Sequence, residues 1–441
     1  MFFTVDVKPL FVPYIGVEAV AGPVPWYFPG NLPVFRKTLL LIRYLPPTPK
    51  SEKVLKMSRY SEELVPHVMT LVDLIDGEKV GALKPPSRRK NKQLTPTSDV
   101  PEAHETASDG YNRDASTLTP LSRIAATAAG QVQRALEAAD RVHREGVWAR
   151  SGGAERQVLC DRLADELEKR ADLIAQAEVV DTGVGIKVTR AWFSTLPHLL
   201  LRRRADGPFY DSIRPTQEIL HEETPIARIT HTPCGPTVVI CTTNAPIGSS
   251  FIQITVALQS GCPVIVKPSP WAAHSFNIVV DALDAAGVPP GLVQVVHGGA
   301  DVGGALVESK YTKAVCFTGS VPAGLSIAQT CAKTLTPFIL ELGGSNQFIV
   351  LPDADLDLAV ESLLQSLTTL NGLYCCGAGR VAVHESVHEA FVEKAVARFG
   401  RLRVGDALDE GSEMGPLCVG LARPFEKQIE RWVLQRVRGV G

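Results

Sequence analysis

Between Pro236 and Gly319 the chain alternates short apolar runs with longer segments of mixed polarity. The runs are Thr237 to Thr242, Pro263 to Lys267, Leu292 to Val296 and Ala314 to Phe317; between them, Ser250 to Gln259 and Trp271 to Ala286 are long enough to be helices. A strand buried on both sides has no polar face with which to alternate. Continuous apolar strands separated by helices therefore predict an α/β fold with a parallel sheet covered on both faces. Ligands of such sheets bind beyond the carboxyl ends of the strands.

Ahead of this region the period is helical. Ile124 to Val142 is alanine-rich and amphipathic. From Ala154 to Val180, the residues Val158, Leu159, Leu163, Leu167, Leu173 and Ile174 recur at helical steps with charges between them. Asp181-Thr182-Gly183 ends that stretch, glycine serving as the stop. Asp353 to Leu370 and Glu385 to Phe399 read as further amphipathic helices. Residues 1–115 form an unassigned leader. Met1 to Pro49 is rich in proline and aromatic residues without a clean period, and Leu71 to Glu78 reads as a strand and turn. Lys84 to Ser116 is polar and carries the basic run Arg88 to Lys92, a composition that predicts a flexible connector.

At 441 residues the chain is long enough for two or three domains. A net charge of −2 points to neither nucleic acid nor an anionic membrane as partner. The nine cysteines are scattered, with no CxxC or Cys/His cluster of zinc-like spacing, so no metal is expected and a reducing compartment is favoured over a disulfide framework. MFFTVDVKPL lacks the basic lead-in of a signal peptide. The early apolar run Thr38 to Leu45 contains Arg43 and is too short to span a bilayer. A cytoplasmic location is the expectation.

Candidate chemistry concentrates between Phe338 and Arg380. Glu341 leads into Gly343-Gly344, and the thiol pair Cys375-Cys376 precedes Gly377 and Gly379. A base and a nucleophile thus each sit beside backbone that glycine lets approach a ligand closely. An unperturbed thiol, with a pKa of roughly 8.5, is only a few per cent thiolate near neutrality, so a nucleophilic cysteine needs a nearby base or positive potential. Taken alone, such a pair reads as two buried small hydrophobes.

Leu340-Glu341-Leu342-Gly343-Gly344, followed by Gly372-x-x-Cys375 and Arg380, resembles the aldehyde dehydrogenase superfamily. Cys375 follows Glu341 by 34 positions, the family spacing, which Cys376 does not match. The resemblance implies Cys375 as nucleophile, with Cys376 as fallback, and Glu341 as general base. It departs from the family's Asn-x-Gly-Gln-x-Cys pattern at Leu370 and Leu373.

Further motifs follow in family order. Thr242-Thr243-Asn244-Ala245-Pro246 stands where the family has Pro-Trp-Asn-Phe-Pro, and the resemblance makes Asn244 an oxyanion donor together with the Cys375 backbone N–H. Val266-Lys267-Pro268-Ser269 follows Asn244 at family spacing and implies that Lys267 and Ser269 hold the adenosine end of NAD or NADP. Pro270 replaces a glutamate frequent in NAD-preferring members, which leaves NADP open. Phe317-Thr318-Gly319-Ser320-Val321-Pro322-Ala323-Gly324 matches the family's FTGS-x-x-x-G segment, and a helix starting near Val321 would offer N–H groups to a pyrophosphate or its neighbours. Gly319, Ser320, Gly324 and Leu342 complete the expected cofactor set. Gly405 to Asp409 and Met414 to Leu417 resemble a later "GDP…GPL" segment.

The resemblance spans roughly residues 116–430 and implies a Rossmann-like parallel-sheet domain binding NAD(P) over residues 116–335. An incomplete α/β catalytic domain would follow over residues 336–441, since family members continue well beyond Gly441. The implied activity is oxidation of a small-molecule aldehyde to a carboxylic acid through a cysteine thiohemiacetal and thioester. The alternatives are a truncated, inactive relative acting as a binding or scaffold protein, and a thiol-dependent reductase of activated acyl groups. Oligomeric state stays open, a homo-oligomer among the options.

Overall fold

A computed structural model describes residues 2–5, 60–69, 71–81, 111–117, 120–123, 126–202, 217–221, 224–229 and 231–418. In chain order the elements begin with β1 (Phe2–Val5), α1 (Val65–Met69), β2 (Val72–Ile75), β3 (Glu78–Gly81), β4 (Tyr111–Arg113) and β5 (Pro120–Arg123). Helices α2 (Ala129–Glu145), α3 (Gly153–Lys169), α4 (Ala171–Thr182), α5 (Ile186–Val188) and α6 (Leu196–Leu201) follow, then the hairpin β6 (Gln217–His221) and β7 (Thr224–Ile229). The alternating part comprises β8 (Thr237–Ile240), α7 (Pro246–Gln259), β9 (Val264–Lys267), α8 (His274–Ala285), β10 (Val293–Val295), α9 (Ala300–Glu308), β11 (Ala314–Gly319), α10 (Val321–Ala332) and β12 (Phe338–Leu342). The last described elements are β13 (Asn346–Val350), α11 (Leu356–Thr368), β14 (Ala378–His384) and α12 (His388–Phe399).

The main sheet has seven strands in the order β12-β11-β8-β9-β10-β2-β3. Strands β8 to β12 run parallel, and β2 joins β10 antiparallel. Alternate residues of the apolar strands face opposite layers. Val239, Val264 and Val266 pack with Leu163, Leu167, Phe251 and Phe276 on one side. Val238, Ile240 and Ile265 pack with Ala135, Leu136 and Leu306 on the other. Each fully buried side chain of this size is worth about 1.5–3 kcal/mol, so the sheet is anchored from both faces.

Several elements differ from their sequence expectation. The helical stretch from Ala154 is two helices, broken at Arg170, whose φ of −106° and ψ of 7° leave the helical range. Its Nη1 turns back onto the Glu166 carbonyl and carboxylate, and the bend lets α3 pack on α6 and α7 while α4 meets α8. The leader residues 72–81 contribute a hairpin to the main sheet, with Asp76 at φ 53° and Gly77 at φ 78° in the left-handed conformation that a two-residue turn requires. The other leader expectations, the Met1 to Pro49 run beyond β1 and the Lys84 to Ser116 connector up to residue 110, lie outside the described residues.

The chain changes sheets at Gly343-Gly344. Strand β12 still pairs parallel with β11, whereas β13 belongs to a second sheet in the order β1-β14-β13. Helices α11 and α12 cover that sheet through Val360, Leu363, Leu367 and Phe391 against Val350, Val381 and Val383. The Asp355 carboxylate caps α11 by accepting from the Asp357 and Leu358 N–H groups, so this helix opens three residues after Asp353. No helix among the described residues is long and apolar enough to cross a membrane.

Candidate active site

The segments singled out by their chemistry follow the carboxyl ends of β8, β9, β11 and β12, four neighbours in the main sheet. Register sets Ile240 beside Lys267 and Gly319 beside Leu342. After β9, Lys267 is buried, with Nζ donating to the carbonyls of Gly298 (2.8 Å) and Pro268 (3.1 Å). Burial pulls its ammonium down to about 8. Ser269 shares a 2.7 Å hydrogen bond with the Thr243 hydroxyl, tying the loop after β9 to the turn after β8. After β11, Ser320 opens α10, and its hydroxyl caps no N–H of the first turn. Gly324 lies under Leu342, where a Cβ would come within 2.7 Å of Leu342 Cδ2, so these two residues pack α10 onto β12.

The turn after β8 is aimed at the cysteine loop. Thr242 Oγ1 donates to Asn244 Oδ1 (2.7 Å), and Asn244 Nδ2 donates to the Leu373 carbonyl (2.6 Å), two residues before Cys375. Val184, Ala245 and Leu370 form a small apolar cluster beneath this contact, with Tyr374 packed against it. From below, the carboxylate of Glu178 in α4 accepts the Ile247 N–H (2.7 Å) at the start of α7. Glu178 is fully buried, and burial lifts its carboxyl to about 8.

Asn371 and Asn346, two residues that sequence reasoning missed, shape the cysteine loop itself. Leu370 and Asn371 adopt φ of 52° and 55°, left-handed backbone that ends α11 and reverses the chain. The buried Asn371 donates to the carbonyls of Gly183 (2.7 Å) and Pro416 (2.9 Å) and accepts from the Gly415 N–H (3.1 Å). Gly183 and Gly415 are in such close contact that a Cβ on Gly415 would lie 1.9 Å from the Gly183 carbonyl oxygen. The "GPL" segment and the end of α4 thus meet at Asn371. Asn346, at the start of β13, donates to the carbonyls of Cys375 (2.8 Å) and Gly377 (3.1 Å). Its only signal in the sequence is its place two residues after Gly344, and the signal for Asn371 is the glycine that follows it.

Cys375 and Cys376 are exposed, with their sulfurs 3.8 Å apart. Burial of its sulfur and the neighbouring Cys376 push the Cys375 thiol up, opposed by the backbone N–H groups of both residues. Glu341 is exposed near the end of β12, the edge strand of the main sheet, where Phe338 and Ile339 are also open. Five positions separate Glu341 from Asn346, the residue that holds the Cys375 carbonyl. The start of α10, with no side-chain acceptor on its first turn, and the buried Lys267, two strands away in the same sheet, fit an anionic dinucleotide. Among the described residues no cluster of His, Cys, Asp or Glu could hold a metal ion.

The sequence profile described as the aldehyde dehydrogenase family matches residues 103–433, three quarters of the chain. The chain belongs to the aldehyde dehydrogenase family.

Among relatives of this aldehyde dehydrogenase homologue, geranial dehydrogenase of Castellaniella defragrans is 32% identical over 308 residues, covering 68% of this chain and 62% of the relative. Bovine 4-trimethylaminobutyraldehyde dehydrogenase is 31% identical over 306 residues, covering 69% and 60%. The chain therefore spans about three fifths of the length of these curated relatives. Among solved structures, an NAD+ complex of an aldehyde dehydrogenase from Bacillus cereus superimposes with a TM-score of 0.69 at 26% identity, covering 81% of this chain and 68% of that one. The α/β fold with a parallel sheet is thereby that of the family.

Proposed function

We propose that the chain is an NAD(P)-dependent aldehyde dehydrogenase that oxidises an aldehyde to a carboxylic acid. The observation that carries this reading is the Asn244–Leu373 bond, which joins the oxyanion candidate to the cysteine loop across 129 positions of sequence. Cys375 as thiolate adds to the aldehyde carbon, and the second N–H of Asn244 with the Cys375 backbone N–H stabilises the oxyanion. One such donor is typically worth about 10²–10³ in rate. A nicotinamide held here would accept the hydride that leaves as the C–H bond of the thiohemiacetal breaks, which turns that adduct into a thioester. Glu341 then removes a proton from water attacking the thioester carbon, and the acid leaves as Cys375 recovers its sulfur. Lys267, Ser269, Gly319 and Ser320 hold the cofactor, with Gly324 and Leu342 keeping α10 seated on β12. Nine free thiols support a reducing, cytoplasmic setting.

A second reading, a binding or scaffold relative without turnover, draws on the upward shift of the Cys375 thiol and the open setting of Glu341. The two separate when the purified, folded protein is mixed with NAD or NADP and a panel of aldehydes, and reduced cofactor is followed by absorbance. Turnover that disappears in Cys375→Ala and persists in Cys376→Ala supports the dehydrogenase. Folded protein that reduces neither cofactor with any aldehyde supports the scaffold.

A further inference from the structure

Cys234 and Cys262 are 28 positions apart, one exposed and the other buried, yet their sulfurs approach to 3.6 Å. Glycines make the approach. Gly235 follows the first cysteine at φ +118°, and Gly261 precedes the second at φ +85°, so close to Pro233 that a Cβ there would lie 2.7 Å from its Cγ. The two segments lead into the neighbouring parallel strands β8 and β9, locked by the Thr237 N–H donating to the Pro263 carbonyl (2.8 Å). This is the amino end of the sheet, opposite the strand ends that carry Asn244 and Lys267, and nothing in the proposed dehydrogenase chemistry uses it.

The environment differentiates the two sulfurs. The Cys234–Cys262 contact, together with the backbone N–H groups of Gly235 and Cys234, draws the Cys262 thiol down, and the same contact pushes Cys234 up. A thiolate beside a protonated thiol is the arrangement in which one sulfur is oxidised and the other resolves it. Apart from the adjacent pair Cys375 and Cys376, no other two thiols among the described residues are recorded in contact.

We propose that Cys234 and Cys262 form a redox-active dithiol site that hydroperoxides close to a disulfide. The Cys262 thiolate attacks a peroxide oxygen: an S–O bond forms, the O–O bond breaks and hydroxide leaves, taking a proton from solvent. The Cys234 sulfur then attacks the Cys262 sulfenic acid: the S–S bond forms, the S–O bond breaks, and the departing hydroxide takes the Cys234 proton as water. Two thiols lose two electrons and hydrogen peroxide becomes two waters. A disulfide needs sulfurs about 2.05 Å apart, so closure asks for a shift of roughly 1.6 Å by the exposed partner. The bond ties the segment entering β8 to the turn between α7 and β9 and constrains the unfolded chain.

The test is hydrogen peroxide treatment of the full chain, followed by alkylation and non-reducing digestion. Trypsin leaves both cysteines within residues 229–310, because Lys267 precedes proline, and chymotrypsin separates them after Phe251. We expect the Cys234 and Cys262 peptides to be recovered joined, lighter by two hydrogens than the separate thiol peptides. In Cys234→Ser the joined species vanishes and Cys262 is trapped by dimedone as its sulfenic acid. Recovery of Cys234 and Cys262 separately alkylated, while other thiols of the same sample oxidise, overturns the proposal. So does a Cys262 in Cys234→Ser that dimedone never labels.

Discussion

Asn346 donates its side-chain amide to the carbonyl of Cys375 at 2.8 Å, and to that of Gly377 at 3.1 Å. One residue therefore links the start of β13, just past the Gly343-Gly344 crossing between sheets, to the loop carrying the thiols. The Cys375 N–H that the oxyanion would use shares its peptide plane with the Tyr374 carbonyl, which accepts from the N–H of Gly377 at 2.9 Å, so holding Gly377 bears on that plane as well.

Asn346→Ala should therefore act on chemistry more than on stability. The side chain is exposed, so losing its bonds costs about 1 kcal/mol or less in folding. A nucleophile misplaced by an ångström can lose about 10²-fold in rate. We expect kcat to fall about 10- to 100-fold with the thermal midpoint nearly unchanged, and the rate of Cys375 alkylation to shift in parallel. An unaltered kcat and alkylation rate would show that the clamp does not position the thiol.

Glu341→Gln separates the two halves of the proposed reaction. The amide is close in shape but cannot take a proton from water, so thioester hydrolysis should slow by about 10²–10⁴-fold. Hydride transfer should be largely spared, because Cys375 and Asn244 are untouched. Rapid mixing should show a burst of reduced cofactor near one equivalent per site, followed by a slow steady state. Equal loss of burst and steady state would remove Glu341 from the role of base.

Asn371→Ala should be costly to the fold. It strands the Gly183 and Pro416 carbonyls and the Gly415 N–H in a buried place, and asks alanine to hold φ 55°. Unsatisfied buried groups cost about 1–3 kcal/mol each, and asparagine tolerates left-handed backbone better than alanine. We expect a loss of about 3 kcal/mol or more by denaturant unfolding. Asn371→Gly, which relieves the backbone but not the lost bonds, should recover only a minor part. Full recovery by glycine would assign the effect to backbone strain alone.

The parts of this structure legible in the sequence are those fixed by local pattern. The valine-rich runs at β8 and β9 announce a covered parallel sheet, and Asp76-Gly77 announces the hairpin that joins it. What sequence could not show depends on partners far along the chain. Asn371 bonds residues 188 and 45 positions away, and Glu178 reaches across 69, so neither periodicity nor spacing marks them. Glu178 even breaks the expected pattern, a carboxyl on the fully buried face of α4. The break at Arg170 was hidden for a related reason. No proline or glycine marks it, and the side chain's own return to Glu166 accompanies the bend.

Glu178 also makes stability depend on pH in a direction that can be measured. Its folded pKa of about 8 lies above the ordinary value of 4.5. Between those values the folded chain keeps a proton that the unfolded chain has released. Stability from this group is therefore full below pH 4.5, falls as pH rises and levels off above pH 8. Each pH unit in the window is worth about 1.4 kcal/mol. Glu178→Gln keeps an oxygen to accept the Ile247 N–H and has no proton to lose. Measured against wild type by denaturant unfolding, the variant should gain on the order of 3 kcal/mol in relative stability between pH 5.5 and pH 8. A difference between the two proteins that stays constant over that range would mean that Glu178 is ionised inside the fold, with its charge balanced by a partner other than the Ile247 N–H.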